Sequence, residues 1–371
     1  MCASGANPSD VPPTINRTLT SILRPGGEYF EIRSSQLLTG DDAENRFGEL
    51  VDRIRRAGSG SDYDCVVGIS GGVDSTYAAY RLHEAGLRIL AVHMDNGWDS
   101  EESISNIRNL TTKLKMDYQS YVLDWEEFRD IQLAFLKASV PEADTPTDVA
   151  IPAAVHHYAA KHNVKYIVSA GNITTEGILP KSWHYDARDF KYFDHIQSTF
   201  GTVRPTRFPR FDYKAEAWMK LGRGIRTVYP MNFIVAPKEG ILNFLIEAID
   251  FKPSGEKHHE SVYTRFIQGY YLYEKFGIDY RRAKFSSLIC CGQATHEQAV
   301  QALALRPYDE GQVNIEKLYV AKKLEIDPAK LDEIIAAPAK WYWDYPNDEK
   351  KLQVIYNLYR KIFRRPKLAS V

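Results

Sequence analysis

Along the first half of the chain, short apolar runs alternate with stretches in which apolar residues recur every three or four positions, the pattern of strands alternating with helices. Residues 63–69 (Tyr-Asp-Cys-Val-Val-Gly-Ile) predict a strand, and 76–84, with Tyr77, Tyr80 and Leu82, a helix closed by Gly86. A second apolar run at 88–94 ends in Asp95-Asn96-Gly97, which completes a βαβ unit. The alternation continues with a helix over 101–114, a strand over 118–123, a helix over 150–162 and a strand over 165–170. This predicts an α/β fold, a doubly wound parallel sheet with ligands at the carboxyl ends of its strands. From Lys238 onward helical spacing dominates, at 240–249, 261–276, 295–305, 314–323 and 348–363, so the C-terminal domain is expected to be mostly helical. Residues 180–237, dense in Arg, Lys, Phe, Tyr and Pro without clear period, read as a long substrate-facing connection. The expected organisation is an N-terminal extension (1–60), a sheet domain (61–205), and a connection with the helical domain (206–371).

Composition narrows the function. Basic and acidic residues number 47 and 48, so no global attraction to nucleic acid is written in the chain. No apolar stretch reaches bilayer length; even the aromatic run 263–276 is broken by Arg265, Gln268, Glu274 and Lys275. Residues 1–21 carry no secretory apolar core, and a cytoplasmic protein is expected. Four cysteines without a Cys-x-x-Cys pair make neither a disulfide scaffold nor a zinc site. Cys65 reads as a core residue, and the adjacent Cys290 and Cys291 as packing residues.

The chemistry concentrates where strands end. Ser70-Gly71-Gly72-Val73-Asp74-Ser75 joins the first strand to the first helix. Adjacent glycines let successive N–H groups converge on an anion at a helix N-terminus, and the Ser70 and Ser75 hydroxyls add donors. Asp74 would repel phosphate unless it holds magnesium. The loop lacks the Walker lysine. Asp95 suits ribose hydroxyls or magnesium, or simply a strand-ending turn. The stretch Gly171-Asn172-Ile173-Thr174-Thr175-Glu176 follows another strand; Glu176 is a second metal candidate or part of a helix-start cap. Lys257, Arg265, Arg281 and Arg282 form a candidate electropositive patch for the leaving pyrophosphate. His258, His259 and Glu260 lack zinc-helix spacing, and no zinc is expected.

Ser70 to Ser75 match the PP-loop signature of the ATP pyrophosphatases, which cleave ATP between its α- and β-phosphates. Asp95-Asn96-Gly97 resembles the tripeptide of GMP synthetase-like sequences, and 171–176 resembles a stretch of NAD synthetase in which a hydroxyl and a carboxylate help bind magnesium. The resemblance implies a HUP-like domain, ATP and Mg2+ as ligands, Gly71, Gly72, Val73, Gly171, Asn172 and Thr174 among the nucleotide contacts, and Asp74 and Glu176 as metal ligands. The wider ensemble resembles the bacterial N-acetyl sugar amidotransferases of surface-polysaccharide (lipopolysaccharide) biosynthesis. It adds Asp95 to Trp98, Asp124 to Glu127, Lys257 to Ser261 and Phe276 to Arg282. That likeness implies adenylation of an acetamido oxygen on an N-acetylated sugar, then displacement of AMP by ammonia to leave an acetamidino group. Catalytic roles are implied for Asp74, Lys257, Arg281 and Arg282. The sixty or so residues before the first strand are too few for a glutaminase domain, so ammonia is expected free or from a separate glutaminase subunit. A homodimer stays open. The rival class is a PP-loop sulfurtransferase modifying tRNA, with Cys290 or Cys291 carrying sulfur.

Overall fold

The computed structural model describes residues 40–176, 179–234, 236, 238–253 and 260–363. Five strands form one parallel sheet: β1 (Cys65–Gly68), β2 (Ile89–Asp95), β3 (Asp117–Val122), β4 (Tyr166–Val168) and β5 (Arg226–Val228). Their order is β3-β2-β1-β4-β5, with Val66 opposite Leu90 on one side and Ile167 on the other. β1 and β4 are apolar throughout because helices cover both faces, whereas edge strand β3 is largely exposed and polar. The chain first winds outward through β2 and β3 and then returns to the other side of β1, so the winding reverses between β1 and β4. A crevice opens at the carboxyl ends of strands at such a reversal.

In chain order the helices are α1 (Gly40–Ala57), α2 (Val73–Glu84), α3 (Glu101–Lys113), α4 (Trp125–Lys137), α5 (Thr145–Lys161), α6 (Ile173–Glu176), α7 (Phe190–Phe200), α8 (Tyr213–Ala217) and α9 (Lys238–Ile249). After these come α10 (Val262–Phe266), α11 (Leu272–Phe276), α12 (Tyr280–Cys290), α13 (His296–Leu303), α14 (Glu310–Lys323), α15 (Pro328–Ala336) and α16 (Glu349–Phe363). On one face of the sheet, Leu50 and Ile54 of α1, Leu82 of α2, Leu110 of α3 and Leu245 of α9 bury together with Cys65 and Val67. On the other, Val155, Tyr158 and Ala159 of α5 cover Val66, Leu90 and Ile167.

A separate aromatic core knits α4 and α7 to the C-terminal helices through Phe128, Phe135, Phe193, Tyr263, Phe266 and Tyr271. Trp98, fully buried there, donates its indole N–H to Gln132 Oε1 at 2.7 Å. Several elements differ from their sequence-based outlines. The helix expected to start at 150 begins at Thr145, with Pro146 in its first turn, and the connection 180–237 contains both α7 and β5. The expected helix 261–276 is continuous but carries a π-turn at Ile267–Tyr271. Among the described residues no helix is long and apolar enough to cross a membrane.

Candidate active site

The loop after β1 is tightly determined. Gly71 takes φ +77°, a left-handed conformation that favours glycine, and a Cβ there would meet the backbone of Ser103, 2.7 Å from its Cα and 2.8 Å from its carbonyl carbon. Buried Asn106 on α3 donates to the Gly71 carbonyl at 3.0 Å, and its amide also exchanges hydrogen bonds with the backbone of Lys252. Ser70 and Ser75 hydroxyls lie 3.1 Å apart, and Gly72 caps α2 without a side-chain cap. The N-terminus of α2 therefore keeps its helix-end N–H groups directed at the loop, a ready site for an anion. Val73 opens that helix and Asp74 lies in its first turn.

A carboxylate from the C-terminal half closes over this loop. Ser70 Oγ donates to Glu260 Oε1 at 2.9 Å, and a Cβ on Gly72 would meet that same oxygen at 2.6 Å. Backbone pairing fixes Glu260: its carbonyl accepts from the Ser100 N–H at 2.8 Å, while the Val262 N–H donates to the Trp98 carbonyl at 2.9 Å. Beneath the loop, His93 joins the Ile69 carbonyl (3.0 Å) to Asp99 (2.9 Å). Burial alone lowers the imidazole pKa, but the hydrogen bond and charge of Asp99, the Ile69 carbonyl and Asp95 outweigh it, and the net direction is upward.

Loop, strand ends and C-terminal domain line one cavity of about 1330 Å³. Ser70, Gly72, Val73, Asp74 and Ser75 form one part of the wall, and Gly171, Asn172, Thr174 and Glu176 another. Gly171 is needed for close approach, since a Cβ would meet the Tyr229 ring at 3.0 Å. Asn172 Oδ1 accepts from the Thr174 N–H and hydroxyl, while the Asn172 N–H donates to Glu176 Oε2 at 3.1 Å. Glu176 thus takes part in a helix-start arrangement and still faces the cavity. Asp95 does not line it; its carboxylate accepts from the Gly97 N–H at 2.9 Å, the strand-ending turn.

The expected electropositive patch is distributed differently. Arg281 is committed to Asp279 (2.7 Å) and to the carbonyls of Ala302 and Leu305 at the end of α13, and it lies outside the cavity lining. Arg265 pairs with Glu316 on α14 at 2.8 Å, and Arg282 is exposed beyond the cavity. Lys257 lies outside the described residues, as do His258 and His259. Among the described residues, Arg188, Lys238 and Lys284 bring positive charge to the cavity wall. Arg188 is held by Asp186 and Glu216, and Lys284 stands on α12, which packs against α6.

Sequence reasoning passed over Glu260, Asn106 and the His93–Asp99 pair as parts of the site. Glu260 had a signal, its place in the Lys-His-His-Glu-Ser run; the other three look like ordinary helix and strand residues until the fold brings them beneath the loop.

Comparison with known protein families matches two separate segments of the chain. Residues 63–127 match the family described as tRNA methyl transferase HUP domain, and residues 260–362 that described as LPS biosynthesis protein WbpG-like, C-terminal domain. The segment that carries the Ser70–Ser75 loop is thus similar to a HUP domain, and the C-terminal segment to a WbpG-like C-terminal domain. Glu260, which reaches the PP-loop, stands at the first residue of the WbpG-like match, so the two halves meet at the anion site. A probable mitochondrial tRNA-specific 2-thiouridylase 1 of Caenorhabditis elegans is 30% identical over 128 residues, 30% of this chain and 33% of that protein. The chain thus spans about a third of that relative's length. Among solved structures, an NMN synthetase from Francisella tularensis aligns at 12% identity with a TM-score of 0.40, over 78% of this chain and 98% of that one. An NH3-dependent NAD synthetase from Campylobacter jejuni aligns at 16% identity and TM-score 0.29, over 56% and 85%.

The donor set around the PP-loop fits a metal-bearing nucleotide. Hydroxyls and a helix N-terminus suit phosphate oxygens, and the nearby Asp74, Glu176 and Glu260 carboxylates suit a hard divalent cation. Among the described residues no three His, Cys, Asp or Glu side chains cluster as a self-sufficient metal site, so the phosphates would have to complete the coordination of such an ion.

Proposed function

We propose that this protein adenylates the acetamido oxygen of an N-acetylated nucleotide sugar and then exchanges AMP for ammonia, leaving an acetamidino group. The observation that carries the reading is the joining of a PP-loop and a WbpG-like domain around one cavity, with Glu260 of the second reaching Ser70 of the first. Ser70, Gly71, Gly72 and Ser75, with the N-terminus of α2, hold the departing pyrophosphate. Asp74 and Glu176 would hold magnesium, which when bound neutralises charge on the phosphates. Ser70 is then free to turn from Glu260 to a phosphate oxygen. Lys284 supplies positive charge from the C-terminal wall in place of the distant Arg281 and Arg282. The enclosing walls limit water, which would otherwise compete with ammonia for the adenylated intermediate. Ammonia comes from solution or from a separate glutaminase subunit, and the enzyme works in the cytoplasm on small molecules.

The thiouridylase match favours a second reading, adenylation of a tRNA base followed by sulfur transfer. That chemistry needs a cysteine in the site. Cys65 is buried within the sheet and burial pushes its thiol pKa up, while Cys290 and Cys291 end α12; among the described residues no cysteine lines the cavity. Measuring pyrophosphate release with UDP-N-acetylated sugars and ammonium, against unmodified tRNA with a sulfur donor, separates the two. Sugar-dependent AMP and pyrophosphate are expected. ADP and phosphate as products, or turnover with tRNA alone, would sink the amidotransferase reading.

A further inference from the structure

One wall of the cavity is built away from the strand ends, from the segment before α5, the turn Lys181–Trp183 and α12. Glu142 and Trp183 on it are 4% and 2% exposed. Tyr192 donates to Glu142 Oε2 at 3.3 Å, but among the described residues neither Glu142 Oε1 nor Trp183 Nε1 has a hydrogen-bonding partner. A buried polar atom left unpaired costs about 1–3 kcal/mol, so such atoms on residues that line a cavity point to a ligand that completes them. Burial pushes the Glu142 pKa up to about 8, against its own backbone N–H and Tyr192, so near neutral pH the carboxyl is mostly protonated and donates rather than repels.

The surroundings define what the ligand is. The Trp183 and Tyr280 rings lie 5.8 Å apart and inclined by 33°, with Leu272 and Leu288 on the same lining, a partly apolar surface for a ring with a hydrophobic face. The Tyr280 hydroxyl pKa is raised by burial and then by Asp148, Glu142 and Asp144, which places those acidic side chains around it. Asp144 and Asp148 share this wall with Lys284 of α12, so the lining carries both signs of charge. A neutral ring bearing carbonyl and hydroxyl oxygens suits such a lining.

We infer that Trp183 Nε1–H and Glu142 form the acceptor subsite, taking the neutral acylamino-sugar portion of the substrate through its oxygens while the Trp183 and Tyr280 rings cover its apolar face. The inference rests on the adenylation reading, and it assigns positioning of the acceptor to a wall that the PP-loop does not contribute.

The test is calorimetric titration of the full chain with UDP-N-acetylglucosamine and with UDP-glucose, which lacks the acylamino group. Wild-type protein should prefer the first by about tenfold or more, because a donor pair built for an acceptor oxygen rejects the analogue that leaves it unpaired. Trp183→Phe and Glu142→Ala should erase the preference. Glu142→Gln, which still offers an N–H donor at the same place, should keep affinity within about threefold. Melting temperatures check folding, and should Glu142→Ala not fold, Trp183→Phe and Glu142→Gln still decide. Equal binding of the two sugars by wild type, or a preference that survives both Trp183→Phe and Glu142→Ala, would overturn the subsite. Failure of ATP to yield AMP and pyrophosphate would instead remove the adenylation reading while leaving these binding results interpretable.

Discussion

Gly71 and Gly72 are neighbours in one loop, yet alanine at the two positions should fail in different ways. At Gly71 the backbone sits at φ +77°, and a Cβ would meet the backbone of Ser103 at 2.7–2.8 Å, a neighbour fixed within the first turn of α3. The left-handed conformation costs alanine about 1–2 kcal/mol and the overpacking about 1–3 kcal/mol, so about 2–5 kcal/mol in all. At roughly 2–4 °C per kcal/mol, a value suited to domains of 150–250 residues, Gly71→Ala should lower Tm by roughly 4–20 °C. Gly72 has ordinary backbone angles, φ −80° and ψ 166°, and its Cβ would meet only the carboxylate end of Glu260, which can swing away. Gly72→Ala should therefore melt within about 2 °C of wild type while filling the space over the loop. Both variants should lose ATP affinity by about tenfold or more, equivalent to at least ~1.4 kcal/mol. Differential scanning fluorimetry with and without ATP reads both effects. A Gly71→Ala protein that melts with wild type, or a Gly72→Ala protein that is the less stable of the two, would refute the reasoning.

Other expectations test the site from different directions. Asp74→Asn should reduce pyrophosphate release by about a hundredfold or more with little change in Tm, since metal electrostatics contribute several kcal/mol to such transfers; near-normal turnover would place the metal elsewhere. Arg281→Ala should cost about 1–3 kcal/mol of stability, because it strips Asp279 and the carbonyls ending α13 of their donor, yet leave turnover per folded molecule intact; urea titration beside the pyrophosphate assay separates the two. The raised pKa of His93 means that protonation stabilises the folded state: its contribution is full below about pH 6.5 and is lost as pH rises through the higher folded value. Asp99→Asn should thus cost more stability at pH 6 than at pH 9, and an equal cost at both would argue against a charged pair. Finally, the purified chain should form AMP with ammonium but not with glutamine until a glutaminase is added; glutamine-dependent turnover by the chain alone, abolished by Cys2→Ala, would overturn the need for a partner.

What the sequence revealed follows from how local each signal is. The PP-loop was legible because its glycines, hydroxyls and carboxylate are contiguous, and the strands beside it because β1 and β4 are short, apolar and punctuated. The helix α7 escaped notice because its apolar positions (Phe190, Tyr192, Phe193, Ile196) sit among charged and aromatic neighbours that blur the period, and β5 because Arg226-Thr227-Val228 is not the apolar run that marks β4. Arg281 and Arg282 illustrate a different loss. Charge type and proximity in sequence suggested a patch, but Asp279 caps α12 and captures Arg281 two residues on, turning the guanidinium toward α13. Pairing of that kind depends on where a helix begins, which composition does not fix.

The placement of Glu260 carries a consequence for how the two halves cooperate. A carboxylate resting on this loop has the same charge sign as the nucleotide proposed to bind there, so on that reading it must either turn aside or share a cation with the phosphates. Its backbone is not free to move far, because pairing of 260–262 with 98–100 anchors it to the strand-end segment after β2. Adjustment therefore falls on the side chain. A Glu260→Gln variant separates the outcomes. If the carboxylate only competes with phosphate, the amide should tighten ATP binding measured without magnesium and leave magnesium dependence unchanged. If it shares the cation, the amide should raise the magnesium concentration needed for half-maximal pyrophosphate release while ATP affinity without metal stays put. Because magnesium favours oxygen ligands and usually sits between carboxylates and substrate phosphates, and because Asp74 and Glu176 line the same cavity, the second outcome is the expected one. A variant indistinguishable from wild type in both measurements would show that the WbpG-like domain meets the PP-loop through shape alone.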